Sequence, residues 1–177
     1  MIVLIFLSAF FSSAETALTT VNKIRIRTLA EDGDKRAERV LRITDDSGKM
    51  LSAILIGNNI VNLSASSIAT SLAIKLWGSV GAGIATGVLT VLILIFGEIS
   101  PKTLATIHSE KLALHYSGII AFLMKILTPV IFLINNLSLG FLRLLRVNPG
   151  DGNQQMTEEE LRTIVDVSKE SGVIESD

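Results

Sequence analysis

Residues 50–74 read MLSAILIGNNIVNLSASSIATSLAI, and not one of these side chains ionises. A helix needs about 20 mostly apolar residues to cross a bilayer, so this stretch is long enough to span one. Two other stretches share its character. From Met1 to Val21 the only ionisable side chain is Glu15, and from Leu76 to Ile99 it is Glu98. Three spans are therefore expected, over residues 1–22, 50–76 and 80–101, in an all-α membrane protein. A cleaved signal peptide is a poor account of the first, because no basic segment precedes its apolar run.

Composition supports the same class. Of 177 residues, 49% are hydrophobic and 19% are charged, against the ~25% charged that soluble domains carry. Sixteen basic side chains balance seventeen acidic ones, and aromatics make up 5%. That leaves neither the basic field nor the stacking platforms that a nucleic-acid partner needs. The chain has no Cys, which excludes a disulfide scaffold, a zinc finger, an iron–sulfur site and a thiol nucleophile.

The charges also orient the spans. Residues 23–49 hold Lys23, Arg25, Arg27, Lys35, Arg36, Arg39, Arg42 and Lys49, whereas the turn from Trp77 to Gly83 is uncharged. By the positive-inside rule, the 23–49 segment is expected in the cytoplasm and the N-terminus outside. This cytoplasmic segment reads as a helix or helical pair broken at Gly33-Asp34. A fourth apolar stretch, Tyr116 to Leu142, contains Lys125 and Pro129 and is flanked by Lys111, Arg143 and Arg146. Because Pro interrupts the helical hydrogen-bond ladder, a juxtamembrane helix pair over 109–146 is expected, lying in the inner interface. A kinked fourth span is the alternative. Together these elements make a transmembrane domain over 1–146. Residues 147–177 then read as a linker, VNPGDGNQQ, and an acidic helix opened by the capping box Thr157-Glu158-Glu159-Glu160. They are expected to lead into a cytosolic domain and to leave the C-terminus in the cytoplasm.

Within the spans, polar groups share one depth. Glu15 lies roughly eight residues from Lys23, and Asn58, Asn59 and Asn62 lie a similar distance beyond Lys49. Glu98 is about one turn from Lys102. At ~1.5 Å per residue, Glu15, Asn58 and Glu98 fall roughly 6–13 Å inside the cytoplasmic boundary, with Asn59 and Asn62 somewhat deeper. Ser12 and Glu15 are spaced i,i+3, as are Asn59 and Asn62, so each pair is expected on one helix face. In Gly97-Glu98-Ile99-Ser100-Pro101-Lys102, Pro101 supplies no N–H, which leaves the Gly97 carbonyl without its helical partner. Irregular backbone at membrane depth is tolerated where it lines a cavity or holds an ion. Serine and asparagine also glue transmembrane helices together, and a proline near a helix end is common. Three clusters at a single depth favour an ion site over glue, since an intramembrane carboxylate is costly. Carboxylate, amide, hydroxyl and carbonyl oxygens suit Mg²⁺, Ca²⁺, Mn²⁺ or Na⁺ and do not choose among them.

Ser12-Ser13-Ala14-Glu15-Thr16-Ala17, Gly57-Asn58-Asn59-Ile60-Val61-Asn62 and Gly97-Glu98-Ile99-Ser100-Pro101-Lys102 resemble, in order and placement, the three motifs of the CorC/cyclin M (CNNM) family. The resemblance covers nearly the whole chain. It implies a homodimeric Mg²⁺ transporter of the plasma membrane, Na⁺-coupled and exporting, with three spans and a juxtamembrane belt. It also implies ATP binding, but only by a cystathionine-β-synthase (CBS) pair that the Thr157–Ile174 helix would lead into. Carried over by position, the metal ligands are Ser12, Asn59, Gly97 through its carbonyl, and Glu98. Ser13, Glu15, Asn58, Asn62, Ser100 and Pro101 stand near them or hold the coupling ion. A Mg²⁺-binding sensor or scaffold that regulates other transporters would use the same oxygens. An enzyme is not expected: His108 and His115 lie beyond the third span from Ser12 and Ser13, and no HExxH motif occurs.

Overall fold

The structure, a computed structural model, describes residues 1–145. The linker and acidic helix read over 147–177 lie outside the described residues. Six helices follow in chain order: α1 Ile2–Thr20, α2 Lys23–Glu31, α3 Lys35–Asp45, α4 Ser47–Gly78, α5 Gly81–Ile107 and α6 Ser109–Leu144. No strand occurs among the described residues. α1, α4, α5 and α6 are each long and apolar enough to cross a membrane.

Local chemistry sets most of the boundaries. Asn22 caps α2 by accepting from the backbone N–H groups of Ile24 and Arg25 at 3.0 and 3.2 Å. The expected break follows α2, where Gly33 takes a left-handed φ of 91°. Asp34 then caps α3, accepting from Arg36 N–H at 2.8 Å. The Arg36 guanidinium also binds the Asp34 carboxylate at 3.0 Å, and the pair holds that carboxyl below its usual range. Asp46 caps α4. The uncharged turn resolves to Gly78, whose φ of 72° and ψ of −164° end α4 before α5 starts.

The end of α5 nearest α2 and α3 is irregular. A π-helical turn runs from Ile93 to Ile99, with Pro101 two residues beyond it. The turn includes Gly97, and single π turns inside α-helices often mark functional sites.

The expected break at Pro129 is absent. α6 continues through it as one helix from Ser109 to Leu144, in place of the expected helix pair. A proline in an apolar helix is tolerated when nearby groups relieve the disturbed turn. The Thr128 hydroxyl donates to the Met124 carbonyl at 2.7 Å, next to the Lys125 carbonyl that Pro129 leaves without its N–H.

The packed unit comprises Met1–Ile131. Its core draws on Phe11, Ala14, Ala17 and Leu18 of α1, Ile26 of α2, and Val40 and Ile43 of α3. Met50, Ala53 and Ile54 of α4, Ala105 of α5, and Ala113, Ile120 and Met124 of α6 complete it. These positions gather at the end of the bundle that carries α2 and α3. Towards the other end of α4 and α5, Leu63, Ile68, Leu72, Ile84 and Val88 are exposed. Phe132 onward forms a second unit, and in its described part Phe132, Leu133, Leu137 and Phe141 are exposed.

Candidate cation site

Between these two ends, α1 packs against α4 and against the π turn of α5, and α4 packs against that turn as well. Small residues make the close approach possible. A Cβ on Gly97 would stand 2.8 Å from Ser8 Oγ and 3.2 Å from Ser8 Cβ, so this α1–α5 contact requires glycine. A Cβ on Gly57 would stand 2.4 Å from the buried Phe11 ring, which makes the same point for α1 and α4.

Close packing places polar oxygens where water cannot reach them. Ser8 and Ser12, one turn apart on α1, are 1% and 0% exposed. Neither hydroxyl has a hydrogen-bond partner. On α4, the Asn62 amide nitrogen donates to Glu98 Oε1 of α5 at 3.4 Å and to Asn58 Oδ1 at 3.5 Å. Asn62 Oδ1 is itself buried and unpartnered. A connected set results: Ser8 against Gly97, Glu98 against Asn62, Asn62 against Asn58, and Ser12 one turn along from Ser8. An orphaned buried oxygen costs about 1–3 kcal/mol, and three together are out of keeping with simple helix glue. The amide oxygen can only accept, whereas each hydroxyl can donate or offer its lone pairs.

The sequence-predicted residues divide into three groups. Ser12, Gly97, Glu98, Asn58 and Asn62 stand in or beside this set. Asn59 does not: it is exposed on another face of α4 and donates to the Leu55 carbonyl at 2.9 Å. The i,i+3 pairing expected for Asn59 and Asn62 gives way to the i,i+4 pairing of Asn58 and Asn62, which lies closer to one helical face. Ser13 turns toward α6, where its hydroxyl contacts Tyr116 OH at 3.3 Å and donates to the Phe10 carbonyl. Ser100 and Pro101 line a separate cavity of about 360 Å³, along with Ser13 and the rings of Phe6, Phe10, Phe96 and Tyr116. Glu15, one turn from Ser12, pairs with Lys102 Nζ at 3.2 Å. Both partners of that ion pair are nearly half exposed, so it adds at most about 1 kcal/mol to stability.

Ser8 escaped the sequence reading because nothing marks it except its i,i+4 spacing from Ser12. Among the described residues, no three His, Cys, Asp or Glu side chains come together. The set thus offers one carboxylate, neutral amide and hydroxyl oxygens, and disturbed backbone beside Gly97. Those are hard ligands of low total charge.

Comparison with known proteins agrees with this architecture. Over residues 1–177 the chain matches the family described as cyclin M transmembrane N-terminal domain. It is 40% identical over 171 residues to a UPF0053 protein of Haemophilus influenzae, covering 97% of this chain and 41% of that one. It is 37% identical over 164 residues to the UPF0053 inner membrane protein YfjD of Escherichia coli, covering 92% and 38%. A polyamine export protein of Haemophilus influenzae is 29% identical over 190 residues, covering 99% and 43%. The chain thus spans about two-fifths of the length of these relatives. With a matching family over its whole length and, among the described residues, an all-helical architecture of membrane-spanning character, the chain belongs to the cyclin M transmembrane N-terminal domain family and is a multi-pass membrane protein.

Proposed function

We propose that this chain is the ion-conducting membrane domain of a Mg²⁺ transporter, exporting Mg²⁺ in exchange for Na⁺. The observation that carries the reading is three buried, unpartnered oxygens on two packed helices, Ser8 Oγ and Ser12 Oγ of α1 and Asn62 Oδ1 of α4, with Ser8 against Gly97 and Asn62 against the neighbouring Glu98 carboxylate. Mg²⁺ demands near-octahedral oxygen ligation at about 2.0–2.1 Å and gives up water reluctantly. A protein that moves it must therefore offer oxygens already stripped of water and of competing donors. The Gly97 carbonyl is a further ligand in this reading, since the π turn and Pro101 disturb its helical bonding. Asn59 lies outside the proposed ligand set. A single carboxylate keeps the affinity moderate, and a conducting site must release its ion as well as hold it.

By the positive-inside rule, the α2–α3 end faces the cytoplasm, with the N-terminus outside. The oxygen set is nearer that end, so the ion enters from the cytoplasm. We further propose that the chain works as a homodimer in the plasma membrane and that a CBS pair beyond the chain is the seat of ATP binding. The exposed apolar faces of α4 and α5 are surfaces for lipid and for the second copy.

A second reading has an observation of its own. The 360 Å³ cavity beside Ser13 and Pro101 is walled by four aromatic rings, and aromatic faces attract ammonium groups. One relative is named a polyamine export protein. No carboxylate lines that cavity, so the inorganic ion is preferred as cargo.

Flux into proteoliposomes separates these readings from each other and from a non-conducting sensor. Mg²⁺ flux is expected with the wild-type chain. Asn62→Ala is expected to lower it by more than tenfold and Asn59→Ala by less than twofold, with unchanged elution of both proteins from a sizing column. Flux of a diamine without Mg²⁺ flux would favour the aromatic cavity. Mg²⁺ binding without any flux would favour the sensor.

A further inference from the structure

We propose that Lys102 sets the cation selectivity of the site, acting as a fixed positive charge that Glu15 holds at its cytoplasmic mouth. This inference rests on the reading of the oxygen set as a cation site. Lys102 follows Glu98 by four residues on α5, and Glu15 follows Ser12 by three on α1. The two residues are therefore about one turn apart, with roughly 6 Å of backbone rise between Lys102 and the residue whose carboxylate would face the ion. That is less than the ~10 Å Debye length of a 0.1 M salt solution, so solvent does not screen it fully. No other cation lies so near along the same helices. Lys23 is eight residues beyond Glu15, and Lys49 is nine before Asn58.

The Glu15 contact explains why Lys102 does not fill the site itself. Its long stem could bring the ammonium back toward Glu98, one turn away on the same helix face. The ion pair with Glu15, at 3.2 Å, ties the ammonium instead to α1. Glu15 and Lys102 together add no net charge to the mouth, but the two charges do separate jobs. Lys102 repels an arriving cation and speeds its departure, while Glu15 attracts one. Repulsion energy is proportional to the charge of the ion. If the ammonium weakens binding of a monovalent ion by some factor, it weakens binding of a divalent ion by the square of that factor.

Charge-balance variants test this. The purified full chain in lipid nanodiscs is melted at graded concentrations of Mg²⁺, or of Na⁺, and affinity is read from the rise in melting temperature. Lys102→Met keeps the apolar stem and removes the charge. It is expected to bind Mg²⁺ about tenfold more tightly and Na⁺ about threefold more tightly. Its Mg²⁺ flux should show a lower KM and a lower maximal rate, because release slows. Glu15→Gln leaves the ammonium uncompensated and should weaken Mg²⁺ binding. The double variant restores the net charge and should return to within about twofold of wild type. If Lys102→Met binds Mg²⁺ no more tightly than wild type, or if the double variant is weaker than both single ones, the pair is a structural clasp and the proposal is overturned. If the wild-type chain shows no Mg²⁺-dependent shift at all, the cation-site reading fails, and this inference with it.

Discussion

α1 and α5 are both apolar helices of spanning length, yet they are used in opposite ways. In α1, 39% of the most apolar window is buried, against 11% in α5. The buried positions of α1 include three serines, Ser8, Ser12 and Ser13, with Ala14 and Ala17. Those of α5 are few and mostly small, Gly81, Gly97 and Ala105 with Leu89, while Ile84, Val88, Phe96 and Ile99 are exposed. In water, apolar side chains go inward because water excludes them. Lipid offers no such incentive, so helices meet through small residues and buried polar groups, and large apolar side chains face outward. Apolarity locates a membrane helix, and its exceptions show what it touches.

The largest effect should follow from closing the gap that joins these two helices. Gly97→Val would place atoms within 2.8 Å of Ser8 Oγ and add two methyl groups beyond them. It should destabilise the chain by ~3 kcal/mol and abolish Mg²⁺ binding together, because one contact serves both. Chemical denaturation and the Mg²⁺ thermal shift, run on the same preparation, would check it. Loss of binding with full stability would mean that Gly97 serves only the ion.

A second pair of variants asks whether inward and outward glycines differ as the packing says. Gly57→Ala drives a methyl into the buried Phe11 ring and should cost about 1–3 kcal/mol. Gly87→Ala, on the open side of α5 with nothing within 4 Å, should cost nothing and can gain about 0.5–1 kcal/mol from helix propensity. Equal losses at both positions would mean that another surface covers Gly87.

Much of this contrast was legible in the sequence, because charge alone marks where a bilayer lies. The three apolar runs, the Gly33-Asp34 break and the turn near Gly78 all follow from it and from turn chemistry. What spacing left open was finer than a helical turn. Asn58, Asn59 and Asn62 fan across about 100° of the helix, with Asn62 between the other two, so spacing could not say which of the first two joins Asn62. Packing against α1 through Gly57 decides it, turning Asn58 inward and Asn59 out. Pro129 misled for a different reason. The rule that proline breaks helices carries its full force where water competes for the freed carbonyl, and apolar surroundings remove that competitor.

The smallest effect is the most telling, because its sign should reverse. Ser8 Oγ is buried without a partner, so in the absence of an ion its hydroxyl is a cost to the fold. Ser8→Ala removes the oxygen and keeps the Cβ that touches the Gly97 region. In a chelator such as EDTA, the variant should melt slightly above wild type, by an amount equivalent to ~0.5–1 kcal/mol. At saturating Mg²⁺ the order should invert, since the wild-type hydroxyl then has its positive partner and the variant has lost a ligand. Ser13→Ala supplies the contrast on the same helix. Its hydroxyl already contacts Tyr116 and bonds the Phe10 carbonyl, so its removal should lower the melting temperature by the same small amount with or without Mg²⁺. A crossing for Ser8 beside parallel curves for Ser13 would separate a serine that waits for an ion from one that fastens two helices. Parallel curves for both would return Ser8 to the role of a spacer.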